Sequence, residues 1–145
     1  LFNRSASKRV RNNCVEISFS CKQLSYFLNN HFKKYALGKS IPDWAKKIDV
    51  DSKQQLVQGY LDSDGCITYD KKRDLYGLDF VSINLALLED IQDVLFSLGH
   101  VSGINILRKE SVHDISCKIS KTKETYQLRV GHHHTISFLK ETAPI

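Results

Sequence analysis

The sequence has no apolar run near the roughly 20 residues that a membrane-spanning helix requires. The basic residues near its start are not followed by an apolar stretch, so the pattern of a secretory signal peptide is also missing. Only two prolines and seven glycines occur, and neither a low-complexity tract nor an internal repeat is visible. These absences argue against a membrane or secreted protein, and we expect an intracellular, globular chain.

Cysteine is sparse as well. Cys14, Cys21, Cys66 and Cys117 form no C-x-x-C pair, and no histidine lies at zinc-finger spacing from a cysteine pair. We therefore predict reduced, partly buried thiols. The three adjacent histidines at positions 132–134 cannot all converge on one ion from a turn, and we expect them at a phosphate-facing edge or in solvent.

The charge is unevenly distributed. The 145 residues carry a net charge of +5, with 41% apolar and 26% charged residues, which suits one compact domain or two small lobes. Residues 1–48 hold ten Lys/Arg against two Asp/Glu, a net of +8, whereas residues 49–145 hold eleven against fourteen, a net of −3. A basic third joined to a mildly acidic remainder indicates a polyanionic partner.

The hydrophobic periodicity predicts an α+β domain. A polar segment over residues 1–13 is either a hairpin arm or a loose end. The predicted elements are a strand over 14–19, a helix capped by Ser20 and ending near Gly38, a helix from Ser52 to Ser63, strands over 66–69 and 76–83, a helix capped by Asn84 and ending at Gly99, strands over 101–107 and 125–130, a strand or hairpin edge over 115–119, and a helix over 134–142. This order predicts an antiparallel sheet with helices on one face, whose other face carries Lys/Arg and can lie against nucleic acid.

A glycine inside the helix that starts at Ser52 requires an explanation. Gly59 costs this helix about 0.5–1 kcal/mol relative to alanine. Gln55, Gly59 and Ser63 share one helical stripe, and small residues on a stripe let a second backbone approach closely. The stripe therefore predicts a helix–helix interface, although a merely tolerated glycine fits the pattern too.

Two acids end the same helix. Asp62 and Asp64 face the negative end of the helix dipole, which disfavours each exposed carboxylate by about 0.3–1 kcal/mol. Their position suggests a cation nearby, and the alternative is a solvated turn in which Asp-Gly is ordinary turn chemistry. Because Gly65 leads directly into a strand, Asp64 is predicted to point at the edge of the sheet.

Residues 57–65 read V-Q-G-Y-L-D-S-D-G, which resembles the LAGLIDADG motif. Upstream, Lys39-Ser40-Ile41-Pro42 followed by Trp44 resembles the K-x-I-P block of intein-type members, at about the family's spacing from the second motif helix. The chain is thus similar to the C-terminal half of a LAGLIDADG homing endonuclease over roughly residues 14–142. This resemblance implies an ααββαββα unit with a saddle-shaped antiparallel sheet. Residues 1–48 would be the tail of a preceding half-domain or a basic N-terminal extension, and residues 49–145 a single-motif domain.

The resemblance also implies a function. Such a chain would be a site-specific double-strand DNA endonuclease that hydrolyses phosphodiesters with Mg²⁺ or another divalent cation. Asp64 and a backbone carbonyl at Gly65 or Cys66 would hold the metal, Lys39 would be the catalytic lysine, and Asp62 would be structural. Only one motif is present, so a second LAGLIDADG half is expected, either in a homodimer or in a separate chain, unless this is a fragment or a split half.

Double-stranded DNA would lie across the sheet, with lysines and arginines mainly on phosphates. The candidate DNA-binding residues are Lys71, Lys72, Arg73, Arg108, Lys109, Lys118, Lys121, Lys123 and Arg129. Tyr69, Asn84 and Gln127 are possible direct readers of bases.

Three alternative functions share features with this sequence. A phosphatase of the haloacid-dehalogenase type also uses D-x-D, but it needs those acids at the end of a parallel strand, and here a capped helix precedes them. The spacing excludes an EF-hand, because no third ligand precedes the glycine. A LAGLIDADG-derived DNA- or RNA-binding module that has lost cleavage stays open, because no upstream D-x-D-G exists in this sequence.

Overall fold

The computed structural model describes residues 6–11, 14–115 and 118–142, without the side chains of residues 11, 112–115 and 118–121. Within these residues the elements are β1 (Ser7–Arg11), β2 (Cys14–Ser18), α1 (Lys22–His31), a 3₁₀ turn (Ala45–Lys47), α2 (Val50–Asp64), β3 (Gly65–Asp70), β4 (Leu75–Ser82), α3 (Leu85–Ser97), β5 (Ser102–Arg108), β6 (Ser111–Ile115), β7 (Lys118–Thr122), β8 (Thr125–Val130) and α4 (His132–Thr142). None of the described helices is long and apolar enough to cross a membrane.

The centre of the fold is a four-stranded antiparallel sheet in the order β3-β4-β8-β5. Helices α2, α3 and α4 all contact this sheet. Leu128 and Val130 of β8 are buried towards the helices, whereas Arg129 between them is exposed on the opposite face. The predicted α+β fold, with an antiparallel sheet and helices on one face, is confirmed.

Helix α3 supplies the largest share of the core. Five apolar residues at helical spacing are buried as predicted, namely Leu87, Leu88, Ile91, Val94 and Leu95. Leu98 is partly buried and packs against the same core. These α3 residues meet fully buried Leu78 and Phe80 of β4, and the Tyr60 ring of α2 stacks on Phe80 with centroids 5.3 Å apart. Burial of each such aliphatic side chain contributes about 1.5–3 kcal/mol to stability, so this layer fixes α2 and α3 on the sheet.

The predicted ends of α1 are wrong. Cys21, not Ser20, caps the helix, with Sγ accepting a hydrogen bond from the Leu24 N–H at 3.4 Å. The helix ends at His31 instead of near Gly38, because Lys33 and Tyr35 adopt left-handed backbone conformations with φ of 63° and 64°. The chain is thereby redirected towards α3.

The predicted start of α2 is also wrong by two residues. Asp49 caps the helix: its Oδ1 accepts the Ser52 N–H at 2.9 Å and its Oδ2 accepts the Ser52 hydroxyl at 2.8 Å. These hydrogen bonds from Ser52 lower the pKa of Asp49. Ser52 therefore donates to the capping residue Asp49 and is not itself the cap. The helix that delivers Asp64 begins at Val50.

The segment that follows α1 is docked on α3. The Asn84 side chain caps α3 by accepting the Leu87 N–H at 3.2 Å, and it also donates to the carbonyls of Ala36 and Lys39 at 3.0 and 2.8 Å. Asp90 of α3 accepts the Ile41 N–H at 2.8 Å. Ile41 and Ala45 belong to the same hydrophobic core as the sheet, so part of the segment before residue 49 is built into this domain. The boundary between residues 48 and 49 stays a prediction.

Two hairpins complete the described chain. β1 pairs with β2, so the segment before residue 14 includes a hairpin arm. β6 pairs with β7, and the sequence predicted only one strand or hairpin edge over 115–119 where the structure has two strands. The final helix begins at His132, two residues earlier than predicted.

The strand register defines the two ends of the sheet. Gly65, at the start of β3, pairs with Phe80, and Ser82 pairs with Tyr126, so Asp64 lies at the end from which the β6–β7 hairpin emerges. The turn between β3 and β4, residues 71–74, lies at the opposite end. Basic segments at both ends thus bracket the exposed face.

Candidate functional site

The C-terminus of α2 delivers Asp64 to an open groove of about 230 Å³. Gly65 fixes this geometry: a β-carbon there would lie 2.7 Å from Leu61 Cα and 2.8 Å from Leu61 O. The absence of a side chain lets the Gly65 N–H bond to the Leu61 carbonyl, and β3 follows without a loop. The predicted placement of Asp64 beside the sheet edge agrees with the structure.

Lys39 lines the same groove as Asp64. It is exposed, and its backbone carbonyl is held by Asn84, so the position of the residue is fixed while its ammonium group stays in solvent. The two residues predicted to be catalytic are therefore brought together by tertiary packing. Tyr60 and Ser63 also line the groove.

The environment of the two acids of the motif differs. No described residue forms a hydrogen bond or an ion pair with the Asp64 carboxylate, which is exposed. Burial, with the nearby negative charge of Asp64, raises the pKa of Tyr60. Asp62 instead accepts a hydrogen bond from Gln58 Nε2 at 2.6 Å, one turn back on the same helix. Asp64 is thus available to a ligand, and Asp62 is already engaged.

The groove offers few side chains that could ligate a metal ion. Among the described residues, no group of three or more His, Cys, Asp or Glu could hold an ion. One free carboxylate with neighbouring backbone carbonyls is the hard oxygen chemistry that Mg²⁺ accepts, but it fills only part of a coordination shell. The residues present therefore fit part of a site for such a cation.

The stripe formed by Gln55, Gly59 and Ser63 is exposed along its whole length. A β-carbon built at Gly59 would meet no atom within 4 Å. No described element covers this side of α2, so the close approach that the sequence predicts is not made within the chain. The predicted role of the stripe in a helix interface stays a prediction.

The predicted DNA-binding residues fall into three groups. Lys71, Lys72 and Arg73 are exposed in the β3–β4 turn, whereas Arg108, Lys109 and Lys123 are exposed at the opposite end of the sheet. The side chains of Lys118 and Lys121 lie outside the described residues. Arg129 lies between the two ends, on the open face of β8.

Arg129 is held by an acid that the sequence analysis overlooked. Its Nε and Nη2 donate to Asp79 Oδ1 and Oδ2 at 2.7 and 2.8 Å, and this hydrogen bonding raises the pKa of Arg129. Thr68 Oγ1 donates to Asp79 Oδ2 at 3.1 Å. A charged residue between Leu78 and Phe80 was the available signal, since a buried charge requires a partner.

The three candidate base readers differ in position. Asn84 is 5% exposed and is occupied by the α3 cap and two carbonyls, so its prediction as a reader is wrong. Gln127 lies on the open face, two residues before Arg129. Tyr69 stacks on Tyr76 with centroids 4.8 Å apart and donates to Asp74 at 2.8 Å.

The histidine run is distributed over the start of α4. His132 Nδ1 accepts the Tyr76 N–H at 2.8 Å and joins the Tyr69–Tyr76 stack. His134 packs edge-on to the ring of buried His100. Among the described residues, no three His, Cys, Asp or Glu side chains form a group here that could hold an ion, and the expectation that the three rings do not share one ion stays a prediction.

Known proteins share the fold of this chain. A family model described as a LAGLIDADG-like domain matches residues 51–142. A structure from a study of mesophilic variants of the homing endonuclease I-DmoI is 19% identical with a TM-score of 0.58, covering 95% of this chain and 63% of that chain. The crystal structure of I-DmoI in complex with DNA and Mn is 17% identical with a TM-score of 0.57, covering 97% of this chain and 65% of that chain.

At these identities the likeness to I-DmoI concerns the fold, and this chain spans less than two thirds of either I-DmoI chain. Comparison with curated protein sequences finds no match. The family model nevertheless covers most of the chain, including the motif helix, the sheet and α4. The predicted family is confirmed: the chain belongs to the LAGLIDADG homing endonuclease family.

Proposed function

We propose that this chain is one half of a site-specific DNA endonuclease, which hydrolyses both strands of double-stranded DNA in a metal-dependent reaction. A second LAGLIDADG half, from another copy or a separate chain, completes the site. Residues 1–48 act as the tail of a preceding half-domain or as a basic extension, and residues 49–145 as the single-motif domain.

The observation that carries this proposal is the convergence of Lys39 and Asp64 on one groove. The two residues come from separate segments, and neither side chain is used to hold the fold in the described residues. An ammonium group and a free carboxylate at the edge of an open sheet suit a reaction in which a phosphodiester gains negative charge.

Asp64 and a backbone carbonyl at Gly65 or Cys66 would hold the metal, for which Mg²⁺ or another divalent cation is the natural choice. The I-DmoI complex with DNA and Mn supports a divalent cation. When bound, the cation would supply Lewis-acid stabilisation of phosphate charge and activation of water. Lys39 adds a positive charge beside the phosphate, and Tyr60, stacked on Phe80, shields one wall of the groove from water.

The need for a second half has independent support. One free carboxylate is too few for a metal-dependent hydrolysis of two strands, and the open stripe at Gly59 leaves room for a facing helix. Helix α1 contains no buried residue, and large apolar side chains before residue 38 are exposed, among them Ile17 at 70% and Tyr26 at 70%. Exposed apolar surface of this kind marks an interaction site.

DNA lies along the open face of the sheet in this proposal. Lysines and arginines at the two ends of the strands contact phosphates on either side of the groove, which makes affinity fall with added salt. The face between them carries Gln127 and Arg129, so base edges can be read there.

A plasmid carrying randomised target sites tests the proposal, with Mg²⁺ present and with candidate partner halves added or omitted. We expect linearised product with the natural sequence, loss of cleavage in Asp64→Asn and a strong decrease in Lys39→Met. Asp62→Asn is the matched control, because it removes an acid from the same helix end that is already bonded to Gln58. Equal cleavage by Asp64→Asn would refute the assignment of the acid.

A nucleic-acid-binding module without cleavage is the second candidate. It is favoured by the lack of a three-ligand metal cluster among the described residues. In the same experiment it predicts salt-dependent retention of DNA with no product under any condition, and no effect of Asp64→Asn on retention.

A further inference from the structure

Asp79 is a buried acid on the open face of the sheet. Only 3% of the residue is exposed, and it pairs with Cys66 of β3 and Arg129 of β8. Two donors of Arg129 reach its carboxylate, Nε at 2.7 Å and Nη2 at 2.8 Å. The Thr68 hydroxyl, which has one proton to donate, lies 3.1 Å from Asp79 Oδ2 and 3.2 Å from the Gly77 carbonyl oxygen. The fork of the guanidinium is therefore fixed from one side by a bidentate pair, which is the strongest and most directional form of this interaction.

Stability does not account for this arrangement. Removing a carboxylate from water is costly, and replacing such an ion pair with packed apolar residues is often neutral or stabilising. What the pair provides is orientation, since a bidentate guanidinium cannot rotate away from its carboxylate. The side chain of Arg129 nevertheless stays 54% exposed, so the oriented group faces outward.

The exposed edge of the guanidinium carries unused donors. Arginine has five N–H donors, and Asp79 takes one from Nε and one from Nη2. No other described residue accepts a hydrogen bond from Arg129. The edge between Nη1 and Nη2 therefore presents two parallel donors to the space above the sheet.

Two glycines leave that space open. Gly103 pairs with Arg129 across β5 and β8, and a β-carbon there would meet no atom within 4 Å. A β-carbon at Gly77 would lie 2.8 Å from Thr68 Oγ1 and 3.9 Å from Arg129 Nε. Arg129 lines two cavities, of about 420 and 470 Å³. A planar group as large as a base edge can reach the guanidinium.

We propose that Arg129 reads one guanine of the target DNA, with Asp79 and Thr68 as positioning residues that set its orientation. The two parallel donors match O6 and N7 of guanine, the commonest specific contact of arginine in the major groove. The negative charge of Asp79 offsets that of Arg129 and weakens its attraction for a phosphate, whereas hydrogen bonds to the neutral guanine edge keep their directionality. This inference rests on the proposed function, because it needs DNA on the open face.

A pool of double-stranded DNA with a randomised segment tests the inference by selection for retention on the full chain. We expect one guanine position in the selected sites that loses its preference in Arg129→Lys, since lysine lacks the planar fork. Replacing that guanine by 7-deazaguanine removes the N7 acceptor. It should weaken binding of the unaltered protein by roughly 5- to 150-fold and leave Arg129→Lys binding almost unchanged.

The unaltered protein with 7-deazaguanine needs no substitution, so the result does not depend on whether a variant folds. Thr68→Val keeps the shape of the side chain but removes one donor to Asp79, and it should reduce discrimination at the same position only. Lys72→Ala is the matched control, which should weaken binding to all sequences alike.

Different failures have different meanings. Salt-dependent retention without any guanine preference that depends on Arg129 overturns the inference and leaves the proposed function standing. A uniform loss of affinity in Arg129→Lys also overturns it, by making Arg129 a phosphate contact. No retention of the pool even at low salt overturns the proposed function together with the inference.

Discussion

The open stripe on α2 gives a quantitative expectation for Gly59→Ala. The residue lies inside the helix, and an added β-carbon meets no atom within 4 Å. Because glycine costs a helix interior about 0.5–1 kcal/mol relative to alanine, the substitution should stabilise the isolated chain by that amount. For a domain of this size the gain corresponds to roughly 1–4 °C in Tm.

The same substitution should impair assembly if a second helix packs on the stripe. A methyl group at position 59 separates the two backbones, so formation of the complete nuclease and cleavage should decrease while Tm increases. Thermal melts of the isolated chain and plasmid cleavage with the partner half measure the two effects separately. An increase in Tm with unchanged cleavage would mean that Gly59 is only a tolerated glycine.

Gly65→Ala is the matched control, because the same atom is added at the end of the same helix. There the β-carbon would lie 2.5 Å from Leu61 Cδ1 and 2.7 Å from Leu61 Cα, and backbone atoms cannot rotate away. Overpacking of this kind costs about 1–3 kcal/mol, so Tm should decrease. A lower Tm for Gly59→Ala, or an unchanged Tm for Gly65→Ala, would refute the description of α2.

Three further predictions concern the rest of the domain. Asn84→Ala removes the α3 cap and two long-range hydrogen bonds, and it should cost about 1–3 kcal/mol in urea denaturation. The hydrogen bond from Ser137, followed by the charge of His100, lowers the pKa of Glu141 below its usual 4.5. The ionised Glu141 side chain therefore stabilises the fold at pH values above 4.5, and this stabilisation is lost as pH falls through the folded-state pKa. In thermal melts from about pH 6 to about pH 3, Glu141→Gln should consequently lose less stability than the natural sequence. If Lys72 contacts one phosphate, Lys72→Ala should make the slope of log affinity against log salt concentration less negative by about 0.9.

Local sequence signals predicted some elements well. Helix α3 has an amphipathic stripe, an asparagine cap and a closing glycine with a φ of 86°, and all three agree with the structure. Residues 125–130 form β8 over the predicted range. These elements could be predicted because capping, periodicity and a left-handed glycine act within a few residues of one another.

Other features depend on contacts between distant residues. The cap of α2 is Asp49, and the Ser52 hydroxyl that suggested a cap bonds to it instead. The early end of α1 reflects the docking of the following segment on Asn84 and Asp90, which no local pattern reveals.

The candidate site divides in the same way. The motif placed Asp64 correctly at the end of a helix, and the resemblance supplied Lys39, but only packing brings the two to one groove. The pairing of Arg129 with Asp79 depends on strand register, and a shift of one residue would have put Asp79 on the other face. From the sequence, Arg129 was therefore predicted only as a phosphate contact, and its ion pair with Asp79 was not predicted.

In the proposed function, Asp64 shares a divalent cation with an acid from a second half packed on α2. A crystal structure of this chain with a partner half, double-stranded DNA and Mn²⁺, with anomalous scattering used to locate the ions, tests it directly. We expect a manganese peak in contact with the Asp64 carboxylate and with a carboxylate of the facing helix. A peak coordinated elsewhere, with Asp64 in bulk solvent, would contradict it.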